Sequence, residues 1–440
     1  MEFDLNLSPR THQDVAIKSI RPHPDNPRKH SRDQIRALAR SMETFGFTAP
    51  VLVDRNDQIV AGHGRYEAAL LLGRETVPII RLDDLSPEKA RAYMLADNKL
   101  SDRSEWDTEK LGRHFKELRE IELDFELEDT GFATGEIDLH IQRLDDDGGA
   151  DRADEFVVED KPAVSQPGDC WVLGEHKLYC GSALDSASYA ALLCGEKAAA
   201  VFTDPPYNVP IKGTVGRGNT KHREFLEASG EMSPEEFTGF LTTALGLASN
   251  SADDGTLIYA CMDFRHMGEL LAAGKANSLE HLNLCVWVKT NGGMGSLYRG
   301  QHELVFVYRK PGSPHQNNVQ LGRFGRNRTN VWNYAGAIGL TPKGKANTLS
   351  LHPTVKPIAL VKDAILDCTK KGEIVLDPFM GSGTTILAAE RAGRRGYGIE
   401  LDPRYVDVAI ERWQRMTGKQ ACLPSGATFE QIQTQRSAHE

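Results

Sequence analysis

Four short apolar runs, at residues 198–202, 256–260, 284–288 and 303–308, are each bounded by polar or turn-forming residues and predict buried strands. A fifth run, at 374–376, ends in Asp377-Pro378 and passes through the turn Gly381-Ser382-Gly383. It then enters a helix predicted over 386–392 and closed by Gly393. Residues 396–399 follow as a strand ending in Glu400. Strand, glycine turn, helix and a strand ending in an acid form half of a nucleotide-binding α/β unit. Residues 168–180 read as a hairpin around Gly174-Glu175-His176. Ser233-Pro234-Glu235-Glu236 is a capping box with proline at the first helical position, opening a helix that runs to about residue 248.

The first hundred residues carry a second, smaller pattern. A strand is predicted at 15–20, then the turn Pro24-Asp25-Asn26-Pro27-Arg28. Ser31 and Gln34 form a capping box for a helix over 33–45 that ends at Gly46. Residues 50–53 and 58–61 read as a hairpin, Gly62-His63-Gly64-Arg65 leads into a helix over 66–72, and a strand follows at 77–82. Ser86-Pro87 opens another helix. A polar helix fits 107–120, and residues 117–160, including Asp145-Asp146-Asp147-Gly148-Gly149, read as a solvated acidic linker. The expected domains are therefore 1–106, a helix and linker at 107–165, a main domain at 166–420 and a tail at 421–440.

Length and charge narrow the class. A chain of 440 residues holds two or three domains. No apolar run is long enough to span a membrane, and the acidic start Met1-Glu2-Phe3-Asp4 is no signal peptide. Cys170, Cys180, Cys194, Cys261, Cys285, Cys368 and Cys422 are scattered and lack a Cys-x-x-Cys pair, which predicts reduced thiols in a cytoplasm and no zinc. The net charge of −10 opposes nucleic-acid binding until its distribution is considered. Residues 304–362 contain no acid, yet carry Arg309, Lys310, Arg323, Arg326, Arg328, Lys343, Lys345, Lys356 and Lys362 among asparagines and aromatics. That mixture suits phosphate anchoring and base-edge contact. With Lys212, Arg217 and Arg223 in a polar loop, and Lys289 in a basic connection, it predicts double-stranded DNA as partner. Target recognition is expected at about 209–232 and 309–350.

The chemistry centres on Thr203-Asp204-Pro205-Pro206-Tyr207-Asn208, which follows the 198–202 strand. Two prolines stop the strand because they supply no N–H to a ladder. They present an acid and an aromatic at a strand's carboxyl end, where open α/β sheets bind ligands. The glycine turn after Asp377 has neither the lysine of a P-loop nor the third glycine of a dinucleotide fingerprint, since Thr384, Thr385 and Ile386 stand there.

Together the two stretches resemble the DNA amino-methyltransferases that use S-adenosylmethionine, including those of restriction–modification systems. Asp204-Pro205-Pro206-Tyr207 resembles their catalytic motif, and Asp377-Pro378-Phe379-Met380-Gly381-Ser382-Gly383 their cofactor motif. His352-Pro353-Thr354-Val355-Lys356-Pro357 resembles the segment before the cofactor strand. The order matches the family's permuted β class, over roughly 168–417. One departure is Gly181-Ser182, where the family usually has Gly-Asp; Asp185 is the nearest acid downstream. The resemblance implies an α/β fold with a doubly wound, mostly parallel, Rossmann-like sheet of seven strands. It implies catalytic roles for Asp204, Pro205, Pro206 and Tyr207. It also implies cofactor contacts from Asp377, Phe379, Gly381, Ser382, Gly383, Thr384 and Glu400. An aspartate at the first catalytic position favours adenine N6 in this family, and serine favours cytosine N4.

The exocyclic amine is a poor nucleophile because its lone pair is delocalised into the ring. Asp204 and the Pro205 carbonyl are suited to accept its two hydrogens and stabilise the charge that grows on nitrogen. Tyr207 is suited to stack on a base flipped from the duplex. No metal is expected, since the leaving sulfide is neutral.

Gly62-His63-Gly64-Arg65-Tyr66-Glu67-Ala68-Ala69, with Asn26-Pro27-Arg28, resembles the ParB and sulfiredoxin fold, a small α+β domain. His63 stands where sulfiredoxin chemistry needs a cysteine, and is read as a surface histidine. Gly62, Gly64 and Arg65 form a phosphate site in this reading, for a nucleotide or for DNA backbone. The rival of another class is a ParB-like DNA- or nucleotide-binding protein whose second domain is not catalytic. Intact cofactor and catalytic motifs side by side argue against it.

Overall fold

A computed structural model describes residues 10–101, 106–121, 123–145, 162–209, 227–289, 297–321, 328–334 and 355–437. The chain divides into two compact units, residues 1–147 and 148–440.

The first unit runs β1 (His12–Ala16), β2 (Arg21–Pro22), α1 (Arg32–Phe45), β3 (Val51–Val53), β4 (Gln58–Ala61), α2 (His63–Leu71), β5 (Thr76–Arg81), α3 (Pro87–Ser101), α4 (Thr108–Glu120) and α5 (Thr134–Asp145). Its five strands lie in the order β1-β5-β3-β4-β2. The Ser31 side chain caps α1 by accepting from the Gln34 N–H, and Gly46 ends the helix in the left-handed region at φ 78°. The strand expected at 15–20 stops at Ala16 instead. Residues 17–19 form one 3-10 turn, which brings Ile17 and Ile20, three apart, into the core together.

The acidic stretch is not a linker throughout. Leu111 and Phe115 of α4 close a small core with Leu127, Ile137 and Ile141, and Phe132 meets Phe115 edge-on at 5.1 Å. Two short helices need only a narrow apolar stripe to pack, and Ile137 and Ile141, one turn apart, supply it despite the surrounding acids. Residues 146–161 lie outside the described residues.

The second unit runs β6 (Cys170–Leu173), β7 (His176–Cys180), α6 (Ser186–Leu193), β8 (Ala198–Thr203), α7 (Pro234–Asn250), β9 (Ala252–Met262), α8 (Met267–Ala276), β10 (Glu280–Val288), β11 (His302–Arg309), β12 (Val331–Asn333), α9 (Ile358–Leu366), β13 (Ile374–Asp377), α10 (Thr384–Ala392), β14 (Arg395–Glu400), α11 (Pro403–Thr417) and α12 (Phe429–Ser437). The sheet order is β12-β10-β11-β9-β8-β13-β14-β7-β6. The five central strands, β9 through β7, are mutually parallel. β11 is antiparallel to both β9 and β10, and β6 is antiparallel to β7. Nine strands stand among the described residues where seven are expected, and the outermost two are the short β6 and β12.

Successive residues of each strand face opposite layers. Val201, Ile258 and Phe306 pack with Leu192, Phe237 and Leu270 of α6, α7 and α8. Phe202, Tyr259 and Val307 pack with Leu360, Leu387 and Ile410 of α9, α10 and α11. The sheet is therefore doubly wound. The expected tail belongs to it: Phe429 and Ile432 of α12 are buried, Phe429 lies edge-on to Trp171 at 5.4 Å, and Arg436 donates to both oxygens of Asp169. Among the described residues no helix is long and apolar enough to cross a membrane.

The chain leaves β8 for β9 on one side, and leaves β13 for β14 on the other. β8 and β13 are adjacent and parallel, so their carboxyl ends flank the topological switch point, where such sheets open a crevice. Both sequence motifs sit there.

Candidate active site

Asp204 is the first residue after β8, and Pro205 behind it is buried. Lys356, immediately before α9, donates to Asp204 Oδ2 at 2.6 Å. Tyr207 donates its hydroxyl to Asp204 Oδ1 at 2.7 Å and lies 3.3 Å from Glu303 Oε2. Lys356 also pairs with Glu303 Oε2 at 2.9 Å, and Lys289 with Glu303 Oε1 at 2.5 Å. Trp287 opposes Glu303 across β10 and β11, and the Lys289 ammonium lies 4.8 Å from its ring centre. Asp204 keeps 23% of its side chain exposed, whereas Lys356 keeps 3% and Glu303 9%, so Asp204 remains open to a ligand where those partners are closed.

The charges tune one another. Burial raises the Asp204 carboxyl above the usual carboxylate range; Lys356 opposes this, while Glu303 adds to it. Burial pushes Glu303 up too, but Lys356 and Lys289 outweigh it and hold that carboxyl at about 2. Burial lowers the Lys356 ammonium, and Asp204 and Glu303 more than offset it, so it stays charged. Asn208 has a left-handed backbone at φ 52°; its carboxamide accepts from the Gly230 and Met232 N–H groups and donates to the Met232 carbonyl. It thereby ties residues 230–232 to the catalytic strand end.

The glycine turn after β13 joins the other two acids. Asp377 accepts from the Phe379 N–H at 3.1 Å and from the Thr385 hydroxyl at 2.6 Å. Glu400 accepts from the Gly381 N–H at 2.7 Å and from the Asp402 N–H at 2.8 Å. Burial pushes both carboxyls up to about 7. Each oxygen retains lone-pair capacity for hydroxyl or ammonium donors, which fits the ribose and amino groups of S-adenosylmethionine. Gly381 has φ 53°, and a Cβ there would meet nothing within 4 Å, so the backbone is open to close approach. Gly383 differs: a Cβ there would come within 2.6 Å of Ala409 Cβ, so this glycine serves helix packing. Ser382 accepts from Arg412 through its carbonyl and its hydroxyl, and Thr384 lies 3.3 Å from the same guanidinium. Both are buried. Phe379 packs against Phe240 at 5.7 Å. Gly181 lies at the end of β7 beside Glu400, while Asp185 caps α6 through the Ala187 N–H and is exposed.

Several expected DNA contacts are placed elsewhere. Lys356 is interior because Asp204 and Glu303 hold it there. Lys289 is committed to Glu303. Arg328 pairs with Asp363 at 3.0 Å and Asp367 at 2.8 Å and stands over Trp332, an internal tie between β12 and α9. Lys212, Arg217, Arg223, Arg323, Arg326, Lys343 and Lys345 lie outside the described residues. Glu303 was not legible as a site residue. Its one signal is an acid inside an otherwise apolar strand, immediately before the acid-free stretch.

In the first unit Gly62 starts α2 in the left-handed region at φ 97°, with the Arg65 guanidinium folded against it; a Cβ on Gly62 would meet Arg65 Nη2 at 2.9 Å. Arg65 Nε is buried and has no hydrogen-bond partner among the described residues. His63 is buried rather than on the surface. Its Nε2 accepts from the His23 N–H at 3.3 Å, and burial with the nearby His30 and His23 lowers it to about 4, leaving it neutral.

Known proteins bear directly on these two regions. Residues 198–411 match the DNA methylase family model, 3–111 the ParB N-terminal domain and 109–167 the ParB-methyltransferase HTH domain. Type II methyltransferase M.HpaI of Haemophilus parainfluenzae is 27% identical over 228 residues, 48% of this chain and 67% of that protein. Type II methyltransferase M2.DpnII of Streptococcus pneumoniae is 27% identical over 240 residues, 52% of this chain and 87% of that protein. The solved PvuII DNA methyltransferase, cytosine-N4-specific, is 15% identical with a TM-score of 0.41, over 62% of this chain and 94% of its own. Through residues 198–411 the chain belongs to the DNA methylases that act on N6 or N4 amines, and it carries a ParB-like N-terminal domain followed by the helical domain found in ParB-methyltransferases.

Proposed function

We propose that this DNA methyltransferase transfers the methyl group of S-adenosylmethionine to the N6 amine of adenine in duplex DNA. The observation that carries the reading is Asp204 at the carboxyl end of β8, across the switch point from the Asp377–Glu400 glycine turn. Asp377 and Glu400 hold the amino and ribose groups of the cofactor, which supplies an electrophilic sulfonium methyl. Asp204 and the Pro205 carbonyl accept the two amine hydrogens, so the nitrogen lone pair is turned toward the methyl group. Tyr207 fixes Asp204 Oδ1 with its hydroxyl and offers its ring to the base. Exposed Phe264, Arg265, Leu297 and Tyr298 in the connections at this end of the sheet suit a DNA-facing rim. Long-read sequencing of DNA from cells expressing the protein tests the reading: N6-methyladenine at a recurring sequence is expected, and N4-methylcytosine alone would favour the other amine.

The loop at Gly62, Gly64 and Arg65 is proposed to take a phosphate, as a docking arm on the DNA backbone. Support comes from the unpartnered Arg65 Nε beside the start of α2. Full-length Arg65→Ala, assayed separately with duplex DNA and with nucleoside triphosphates, separates the ligands. Weaker DNA binding is expected; loss confined to a nucleotide would assign the loop to that ligand.

A further inference from the structure

Asp204, Lys356, Glu303 and Lys289, from four separate strand or helix ends, form one chain of ion pairs, and only Asp204 belongs to the catalytic motif. Lys356 touches both Asp204 and Glu303, and Lys289 closes the far side of Glu303. Fold stability alone is a weak reason for such a set, because well-packed apolar side chains generally replace buried ion pairs at no loss. The network instead does two things to Asp204. Lys356 on Oδ2 and the Tyr207 hydroxyl on Oδ1 fix the plane of the carboxylate and leave one acceptor position on each oxygen. The Lys356 charge also opposes the burial and the Glu303 charge that favour a protonated Asp204. A protonated Asp204 would present a donor to the amine, where the reaction needs an acceptor.

We propose that Lys356 and Glu303 are positioning residues for methyl transfer: Glu303 holds Lys356, and Lys356 holds Asp204 oriented and ionised against the target amine. Among the described residues, the other groups facing Asp204 are the Tyr207 hydroxyl, the buried Cys261 thiol, which burial keeps neutral, and Asp377. Lys289 acts only through Glu303. None of these supplies a second cation directly on Asp204, so the Lys356 charge has no local substitute among them.

The inference rests on the methyltransferase reading, and the test separates the two. Single-turnover transfer of tritiated methyl from S-adenosylmethionine to duplex DNA is measured from pH 5 to 9 for the full chain, Lys356→Met, Lys356→Arg and Glu303→Gln. Cofactor calorimetry verifies that each variant is folded. Lys356→Met should move the acid limb of the rate upward by about one to three pH units. Glu303→Gln, nearly isosteric, keeps an acceptor for the Lys356 ammonium and removes the charge that opposes ionisation of Asp204, so it should move the limb downward, and Lys356→Arg should restore most of the original position. A merely structural role would lower rates without opposite shifts. Unmoved limbs in both neutralising variants, or shifts of the same sign, would overturn the proposal. An unmodified protein that transfers no methyl group to DNA would overturn the functional reading itself, and the positioning role with it.

Discussion

Asp204, Asp377 and Glu400 are three carboxylates at the carboxyl ends of β8, β13 and β14, and the roles proposed for them make two separate predictions. Asp204→Ala removes the acceptor proposed for the amine and breaks no hydrogen bond of Asp377 or of the glycine turn. It should reduce methyl transfer at least about a hundredfold, on the scale of losing one preorganised transition-state contact. Cofactor affinity by calorimetry should be nearly unchanged. Near-normal transfer would remove Asp204 from the mechanism. Asp377 and Glu400 are pushed up to about 7 by burial. The sign follows from linkage: their stabilising contribution is fully present below the ordinary carboxylate range and is lost as pH rises through about 7. A ligand offering ammonium and hydroxyl donors favours the ionised forms, so cofactor binding should tighten from pH 6 to 8, by roughly tenfold per fully coupled carboxylate. It should also release protons. Calorimetry in buffers of different ionisation heat would show this, and a flat affinity without proton release would contradict it. The places of these three acids were legible in the sequence because each lies at a strand's carboxyl end inside a local motif. Glu303 and the true place of Lys356 were not, because their contacts span the fold: Lys356 lies 152 residues from Asp204.

At the scale of elements, strands and caps were read well where the signal was local. The Ser233 capping box of α7, the Gly46 end of α1 and the runs that became β8, β9, β10 and β11 all follow from adjacent residues. Basic residues were harder to place, since a positive charge looks the same facing phosphate or facing an aspartate. Arg328 is the clear case. Its removal should leave the salt dependence of DNA binding unchanged and instead cost about 3 kcal/mol of stability, because Asp363 and Asp367 would lose their cation. Denaturant titration beside binding at several salt concentrations distinguishes the two. The terminal segment misled for a different reason: α12 is polar along most of its length. Its two buried residues, Phe429 and Ile432, together with Arg436, seat it on β6 and the loop before it. Truncation before Ala421 should lower the melting temperature by several degrees, since each buried side chain contributes roughly 2 kcal/mol. An unchanged melting temperature would return this segment to a tail.

The whole molecule joins a ParB-like unit to a methyltransferase unit, and its charge is unevenly divided. The excess acid is concentrated in residues 117–160, away from the methyltransferase motifs, which is why a net charge of −10 is compatible with a DNA substrate. The division was legible in composition, but the packed helices α4 and α5 within the acidic stretch were not, since acids on the outer face mask a narrow apolar stripe. The doubly wound sheet brings the Asp204 motif, early in its unit, beside the Asp377 motif, 173 residues later (377 − 204), by placing β8 next to β13. That adjacency is the physical basis for a single reaction centre. Its most direct test is nucleoside mass spectrometry of duplex DNA incubated with the protein and S-adenosylmethionine, with Asp204→Ala run in parallel. N6-methyladenine formed by the unmodified protein and absent with the variant is the predicted result. N4-methylcytosine as the sole product, or N6-methyladenine formed equally by both proteins, would contradict it.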